Sequence, residues 1–310
     1  MEKIKIHSKF KKLLADTITP VSIYLNIREK YKKSFLLESS DYHGNEDSYS
    51  FVCFNPIASF KVEDGRIFIV YPNGDFETKL TTDTDVVDAL NEFSGLFESE
   101  DLGFDFVTNG LFGFTSFEGV RHFEDIEFNY TEKEEKKVPD MHYMVFQNII
   151  SINHFKNELY LFEHRSEIGT GSGPESLDKI EALIKSPNVS QAKFDRDGKE
   201  VSNFDDAGYI AAIQKAKAHC KRGDVFQLVL SREFSQDFKG DDFTLYRALR
   251  SINPSPYLFY FDFEDFRIFG SSPEAQIVIK NRKASIYPIA GTFRRTGDDE
   301  ADAKLAQELL

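Results

Sequence analysis

The chain has 310 residues, a hydrophobic content of 41% and a formal net charge of −14. A chain of this length can bury a substantial core as one large domain or two ordinary ones. The acidic balance disfavours nucleic acid as the main partner, because phosphate binding requires a basic face. Two distant cysteines, Cys53 and Cys220, indicate a reducing compartment and no disulfide framework.

The amino terminus and the hydropathy of the chain predict a cytoplasmic location. Residues 1–6 read Met-Glu-Lys-Ile-Lys-Ile and lack the apolar core of a signal peptide. No later segment approaches the roughly 18 consecutive apolar residues of a membrane-spanning helix. We therefore expect neither a signal peptide nor a membrane span.

The first half of the chain predicts short strands separated by turns, with few helices. Asp64-Gly65 lies between two alternating segments and is typical of a hairpin turn. A helix is expected from Asp83 or Thr84 to about 97, and a helical turn over 117–123. The charged run 132–137 indicates a solvated loop. The predicted strands are 35–39, 49–55, 58–62, 66–71, 111–114, 141–153 and 158–164.

The middle of the chain predicts a boundary between two regions. Residues 169–174 are rich in glycine, but the third glycine of a dinucleotide-binding loop would fall on Pro174, which excludes that interpretation. A short amphipathic helix is expected over 175–185, followed by a polar, turn-rich segment over 186–202. We therefore divide the chain into an N-terminal region, 1–190, and a second region, 201–310.

Elements are marked more clearly from Asp205 onward. Asp205 is a helix N-cap and Gly223 a helix stop, with apolar residues at helical spacing between them. A strand over 225–234 and a helix from Asp241 or Asp242 to Asn253-Pro254 are expected next. Four strands joined by short turns follow, at 257–261, 267–269, 276–280 and 284–287. Short turns join antiparallel strands, so the predicted fold class is α+β, with antiparallel β-sheets and helices packed outside.

The segment 285–297 combines a strand end with groups that suit an anion. Pro288 cannot donate to a central ladder and is expected to end the strand. The N–H groups of Gly291 and Thr292, with the Thr292 hydroxyl, form a donor cluster suited to a carboxylate or phosphate. Arg294 and Arg295 add positive charge beside it. The alternative is a strand, a Pro-Gly turn and two solvated arginines.

Four motifs occur in a fixed order along the chain. They are Leu36-Leu37-Glu38-Ser39; Gly223-Asp224-Val225-Phe226-Gln227-Leu228-Val229-Leu230-Ser231-Arg232; Asn253-Pro254-Ser255-Pro256-Tyr257 with Gly270-Ser271-Ser272-Pro273-Glu274; and Pro288-Ile289-Ala290-Gly291-Thr292. Together they resemble anthranilate synthase component I, the large subunit within the chorismate-utilising enzyme family. The resemblance begins near Phe35, covers nearly all of the chain from there and implies the fold of that family.

The resemblance also implies a reaction. The large subunit adds ammonia to chorismate and eliminates pyruvate, using Mg²⁺ and a glutamine amidotransferase subunit, component II, as the ammonia source. Gly291 and Thr292 then bind chorismate, and Glu274 protonates the departing ring hydroxyl. The alternative for Glu274 is an exposed carboxylate in a turn. The metal-binding glutamates and catalytic histidine of the family are expected beyond Leu310, so we assign no metal ligand within the chain.

Two positions bear on the nucleophile that enters the chorismate ring. Gln227 stands where the water-using isochorismate and salicylate synthases carry a lysine base, and a glutamine cannot act as that base. Ala290 stands where aminodeoxychorismate synthases typically carry an attacking lysine, and it leaves space for ammonia. Both favour anthranilate synthase, and we place Gln227 with Glu274 among the candidate catalytic residues. The alternative for Gln227 is a buried polar group satisfied by the backbone.

The same resemblance implies a regulatory site. Glu38 and Ser39 are expected to meet Pro256, Tyr257 and Leu258 around tryptophan, the feedback inhibitor of the family. A carboxylate acceptor, backbone amides and an aromatic wall suit a zwitterionic amino acid. Leu258 replaces the methionine usual in the family, an exchange between apolar residues that such a site tolerates.

The last predicted helix begins at the acidic residues 298–300 and continues to Leu310 without a cap. We therefore expect the N-terminal portion of a longer protein, inactive by itself. The predicted function is the large subunit of an anthranilate synthase in tryptophan biosynthesis. The alternatives are component I of an aminodeoxychorismate synthase and a non-catalytic regulatory protein that binds an amino acid.

Overall fold

The computed structural model describes residues 3–39, 48–128, 138–169, 176–187, 192–280, 282–289 and 294–308. By internal contacts the chain forms two compact units. Unit 1 comprises residues 1–190 and 252–271, and unit 2 comprises residues 191–251 and 272–310. The predicted division into domains 1–190 and 201–310 stays a prediction, and the contacts group residues 252–271 with unit 1.

The described secondary structure consists of fifteen strands, six α-helices and one 3₁₀ helix. The strands are β1 (Ile4–Leu14), β2 (Phe35–Ser39), β3 (Tyr49–Glu63), β4 (Arg66–Val70), β5 (Phe76–Leu80), β6 (Phe97–Ser99), β7 (Leu111–Thr115), β8 (Met141–Asn153), β9 (Glu158–Ser166), β10 (Phe194–Ser202), β11 (Phe234–Gly240), β12 (Tyr257–Asp262), β13 (Arg267–Ser272), β14 (Val278–Lys280) and β15 (Lys283–Ser285). The helices are α1 (Pro20–Arg28), α2 (Val86–Gly95), α3 (Leu177–Ile184), α4 (Asp206–Arg222), α5 (Asp242–Ile252) and α6 (Asp299–Glu308), with a 3₁₀ helix at Glu118–His122.

Unit 1 is built on one large sheet with the strand order β13-β12-β2-β3-β8-β9-β1-β6. Strand β7 pairs with β8, and the β4–β5 hairpin branches from β3. Of the pairs in this sheet whose register is described, only β1–β6 is parallel. The expected α+β class with antiparallel sheets is therefore confirmed.

Two apolar clusters hold the sheet of unit 1 together. In one, Phe60 on β3 and Ile67 on β4 pack with Phe93 of helix α2. In the other, Phe35 lies against the rings of Phe146 and Phe261, with centroid distances of 5.0 and 4.5 Å. Burial of such large side chains is the main favourable contribution to folding, about 1.5–3 kcal/mol each.

Local sequence signals account for most element boundaries. Helix α1 begins with a capping box, in which Thr19 Oγ1 accepts from the Ser22 N–H at 3.1 Å. The predicted turn at Asp64-Gly65 has positive φ at both residues, 53° and 67°. A hairpin turn of this kind matches the twist of the flanking strands. The predicted strands at 35–39, 66–71, 111–114, 141–153 and 158–164 are present within a few residues of their expected ends.

Strand β3 corrects one prediction in unit 1. The segments 49–55 and 58–62, expected as two strands, form a single strand. Asn55 has a φ of 62°, and the register against β8 shifts between Pro56 and Ala58. A bulge of this kind absorbs an extra residue without ending the strand. Strands β1, β5 and β6 and helix α1 were not predicted.

Unit 2 contains two small antiparallel ribbons, β10–β11 and β14–β15, with helices α4, α5 and α6. Asp205 caps α4 by accepting from the Gly208 N–H at 2.7 Å, and Gly223 ends it with a φ of 81°. Both agree with the predicted helix. The predicted strands 276–280 and 284–287 form a separate ribbon that begins later and ends earlier.

Two other predictions in unit 2 are wrong. The segment 186–202, expected as turns, contains strand β10, which is held by pairing with β11 although most of its residues are exposed. The segment 225–234, expected as a strand, is irregular until Phe234. A strand requires a hydrogen-bonded neighbour, and none of the described strands pairs with residues 225–233. Phe226 and Val229 are consequently exposed.

No helix within the described residues is both long enough and apolar enough to cross a membrane.

Candidate functional site

The antiparallel pairing of β2 with β12 brings together the two segments predicted to bind tryptophan. Ser39 lies opposite Tyr257, and Glu38 lies opposite Leu258. Pro256 directly precedes the paired residues and is half-buried. All five residues therefore lie at one end of the β2–β12 pair, within unit 1, and their role in binding stays a prediction.

Side chains alternate along a strand, and this alternation divides the four paired residues between two faces of the sheet. Ser39 and Tyr257 share one face, and Tyr257 is 45% exposed. Glu38 and Leu258 share the opposite face and are buried, with 4% of Glu38 exposed. The side chains of Glu38 and Ser39 can therefore contact one small ligand only at the end of the strand.

The start of β3 adds polar groups that sequence analysis did not identify. Ser48 Oγ donates to Ser39 Oγ at 3.4 Å, and Ser50 Oγ lies 2.6 Å from His154 Nε2. Both Ser48 and Ser50 are buried. Buried hydroxyl groups need partners, so a serine directly before an apolar strand and a second serine within it are the signal that marks this position.

The turn that leads into β12 is fixed by β13. Ser271 Oγ donates to the carbonyl of Asn253 at 2.6 Å and accepts from the Asn253 side-chain amide at 3.4 Å. A Cβ atom at Gly270 would lie 2.8 Å from the ring of Phe259, closer than ordinary contact allows. The glycine therefore permits the close approach of β13 to the β12 side chains.

In unit 2, Glu274 lies beside the backbone that enters the predicted chorismate loop. Its Oε1 accepts a hydrogen bond from the Ile289 N–H at 3.3 Å. The Ser272 hydroxyl accepts from the Glu274 N–H at 3.3 Å and donates to the Glu274 carbonyl at 3.0 Å. The structure thus ties the predicted acid to the residue before Ala290, while the carboxylate stays exposed.

Of the other predicted catalytic and chorismate-binding residues, the structure describes only Gln227. Gly291 and Thr292 lie outside the described residues, as does Ala290. Gln227 is exposed in the irregular segment after α4 and forms no hydrogen bond with another described residue. Both interpretations of Gln227, as a catalytic residue and as a buried polar group of the complete subunit, stay predictions.

The two arginines after the loop have different surroundings. Arg295 Nε lies 3.1 Å from Asp302 Oδ2. Thr296 donates its N–H and its hydroxyl to Asp302 Oδ1 at 2.7 and 2.8 Å. These bonds, with Arg295, hold the pKa of Asp302 below its ordinary value. Arg294 is exposed and has no ion pair with a described residue, so its charge is available to an anion.

Within the described ranges, no three His, Cys, Asp or Glu side chains are grouped so that they could hold a metal ion.

The family of the chain follows from a match that covers most of its sequence. A sequence profile described as chorismate binding enzyme matches residues 32–310. The chain belongs to this family of chorismate binding enzymes.

Individual relatives show which members of this family the chain resembles. The chain is 30% identical to anthranilate synthase component 1 of Lactococcus lactis subsp. lactis, over 97% of the chain and 65% of the relative. The structure of anthranilate synthase component I from Streptococcus pneumoniae matches with a TM-score of 0.62 and 25% identity, covering 96% of this chain and 63% of that one. The predicted resemblance to this component is confirmed, and the chain spans less than two thirds of each relative.

A more distant structure shares the fold alone. The menaquinone-specific isochorismate synthase of Escherichia coli matches with a TM-score of 0.52 and 13% identity, covering 89% of this chain and 52% of that one. The predicted chorismate-utilising fold is therefore confirmed by two structures.

Proposed function

We propose that the chain acts within the large subunit of an anthranilate synthase, converting chorismate and ammonia into anthranilate and pyruvate. Membership of the chorismate binding enzymes and the names of its relatives support this proposal. The observation that carries it is the contact between Glu274 Oε1 and the Ile289 N–H. That contact places an exposed carboxyl group where the predicted chorismate loop begins.

In the proposed reaction, the residues of this chain bind the substrate and move one proton. The amides at Gly291 and Thr292 hold a substrate carboxylate, and Arg294 adds positive potential nearby. Ammonia forms the new C–N bond at the ring, and the ring hydroxyl leaves as water after taking a proton from Glu274. Loss of pyruvate and of a ring proton then gives anthranilate.

The choice of ammonia over water rests on two side chains. Gln227 has no basic group that could deprotonate water. Ala290 has no amine that could attack the ring, which separates this proposal from the aminodeoxychorismate alternative. Substitution of Gln227 or Ala290 can therefore test the choice of nucleophile, and this test does not require the metal ligands to be known.

The proposed reaction uses a divalent cation, and we assign it no ligand among the described residues. Mg²⁺ would neutralise substrate carboxylates, since it prefers oxygen ligands. No group of three suitable side chains is present in the described part of the chain. We therefore assign no step of the reaction to the metal.

The remaining proposals concern regulation and assembly. Tryptophan is proposed as a feedback inhibitor that binds at the Ser39–Tyr257 end of the β2–β12 pair. A glutamine amidotransferase subunit is proposed as the ammonia source, and the cytoplasm as the location. The β2–β12 register supports the inhibitor site, because it places the two predicted segments side by side.

Product analysis tests the proposed function. The full gene product that contains residues 1–310, here called the complete subunit, is incubated with chorismate, ammonium and Mg²⁺. We expect anthranilate and pyruvate in equal amounts by mass spectrometry. Isochorismate or aminodeoxychorismate without pyruvate would contradict the proposal, as would tryptophan binding without any turnover, which is the regulatory alternative.

The 310-residue chain by itself is expected to form no anthranilate above a no-enzyme control. Its described residues lack a metal ligand set, and Phe226 and Val229 in unit 2 are exposed rather than packed. Large exposed apolar side chains mark surfaces that are covered in the working protein. The measurement is fluorescence detection of anthranilate with ammonium and Mg²⁺, and turnover by the purified chain would contradict the expectation.

A further inference from the structure

Strand β5 is an edge of the unit 1 sheet. It pairs with β4 alone among the described strands. At the two ends of this hairpin, Thr81 N–H donates to the Gly65 carbonyl and Tyr71 N–H donates to the Asp75 carbonyl, each at 2.9 Å. Hydrogen-bonded pairs alternate along an antiparallel ladder, so Glu77 and Lys79 direct their backbone groups toward β4.

The remaining residues of β5 present their backbone groups to the open side. By the same alternation, the N–H and C=O groups of Phe76, Thr78 and Leu80 point away from β4. An edge of this kind is a template for pairing with another strand. Among the described strands these residues pair only with β4, on the opposite side, so the open edge is accessible in the described structure.

One face of the hairpin is apolar and exposed. Phe76 is 63% exposed and Leu80 is 46% exposed. Phe76 stacks on Phe68 of β4 with a centroid distance of 6.2 Å, and the ammonium of Lys61 lies 4.9 Å from the centre of the Phe68 ring. An edge strand with an uncovered apolar face is a surface that a partner strand would complete.

We propose that this edge binds a second copy of the chain through antiparallel β5–β5 pairing centred on Thr78. The sequence Phe-Glu-Thr-Lys-Leu is complementary to itself about its central residue. In the two-fold arrangement each Glu77 faces Lys79 of the other copy, and each Phe76 faces Leu80. An isologous interface requires this reciprocity, in which residue i meets j and j meets i.

The outward hydrogen-bonding groups of β5 also fit a two-fold axis at Thr78. Thr78 would pair with its own copy by two hydrogen bonds, and Phe76 with Leu80 of the other copy by two more on each side. The Glu77–Lys79 pairs then fall at positions without hydrogen bonds, where opposing side chains are closer. A five-residue contact buries less than the roughly 1,200 Å² of a standard interface, so the dimer is weak, in the micromolar range.

Sedimentation equilibrium of the 310-residue chain from about 1 to about 300 µM tests the pairing. We expect a monomer–dimer equilibrium, and Thr78→Pro should raise its dissociation constant at least fivefold. Proline removes the outward N–H of residue 78 and breaks no bond to β4, so the monomer should keep its fold by circular dichroism. A monomer throughout, or a dimer that Thr78→Pro leaves unchanged, would overturn the proposal.

A charge exchange provides a second test that does not depend on proline. Glu77→Lys and Lys79→Glu should each weaken the dimer, because each puts like charges opposite one another twice. The double variant should restore it toward the wild-type value. Both Glu77→Lys and the double variant lose the 2.7 Å bond from Tyr71 to Glu77, but only Glu77→Lys also loses the attraction within the strand between Glu77 and Lys79, whose charged atoms lie 3.4 Å apart. The folding stability of each variant is therefore measured by circular dichroism beside its dimer affinity. Equal dimer affinity in the single and double variants would also overturn the proposal.

Discussion

Replacing Glu274 by glutamine in the complete subunit is expected to lower kcat by about 10²–10⁴-fold, the usual contribution of a general acid. Glutamine has nearly the shape of glutamate and still accepts the Ile289 N–H, so the backbone entering the loop should be preserved. What the variant loses is the proton for the departing hydroxyl. Chorismate affinity should therefore change by less than about threefold.

The measurement is steady-state kinetics together with chorismate binding in the absence of ammonia. Glu200→Gln is the matched control, since Glu200 is an exposed carboxylate of unit 2 without a hydrogen bond or ion pair to a described residue. It should keep wild-type kcat. A fall of less than about threefold in Glu274→Gln would mean that Glu274 is only a turn carboxylate.

Ser39→Phe in the complete subunit should weaken inhibition by tryptophan at least tenfold, about 1.4 kcal/mol, with nearly unchanged uninhibited turnover. Residue 39 is half-buried at the end of β2, opposite Tyr257 and within hydrogen-bond distance of Ser48. A phenyl ring there fills the space proposed for the inhibitor. Catalytic residues are proposed in unit 2, so turnover should be spared.

Inhibition curves at equal chorismate concentration decide this prediction. Ser166→Phe is the control, because Ser166 is also a half-buried serine at the end of a strand in the same sheet. It should leave the inhibition constant unchanged. Curves that coincide for wild type and Ser39→Phe would remove Ser39 from the inhibitor site, and parallel loss of turnover and inhibition would indicate misfolding instead.

Strands β8 and β9, which bury most of their residues, were predictable from sequence, whereas the exposed strand β10 was not. Apolar residues predicted β8 and β9, because burial imposes a pattern on the sequence. Strand β10 carries no such pattern, since it is held by backbone pairing with β11 and is largely exposed. The apolar segment 225–233 was wrongly predicted as a strand. β propensity reflects how side chains pack against a neighbouring strand, and none of the described strands pairs with this segment.

The residues of the candidate site were likewise predictable only in part from the sequence. Motifs identified Glu38 and Tyr257, but only the register of β2 with β12 shows which side chains share a face. Ser48 was missed because it lies in a separate segment of the sequence and meets Ser39 of β2 only through folding. Ser50 was missed for a similar reason, since its partner is His154, directly after β8. Glu274 was identified by its motif, whereas its bond to Ile289 depends on a turn conformation that composition does not specify.

The nucleophile is the feature on which the proposed function depends most directly. The complete subunit would be supplied with chorismate, ¹⁵N-labelled ammonium and Mg²⁺ in ¹⁸O-labelled water, and the products resolved by mass spectrometry. The proposal predicts anthranilate that carries ¹⁵N, with an equal amount of pyruvate. Incorporation of ¹⁸O into a hydroxylated ring product, without ¹⁵N, would show that water enters the ring and would contradict it.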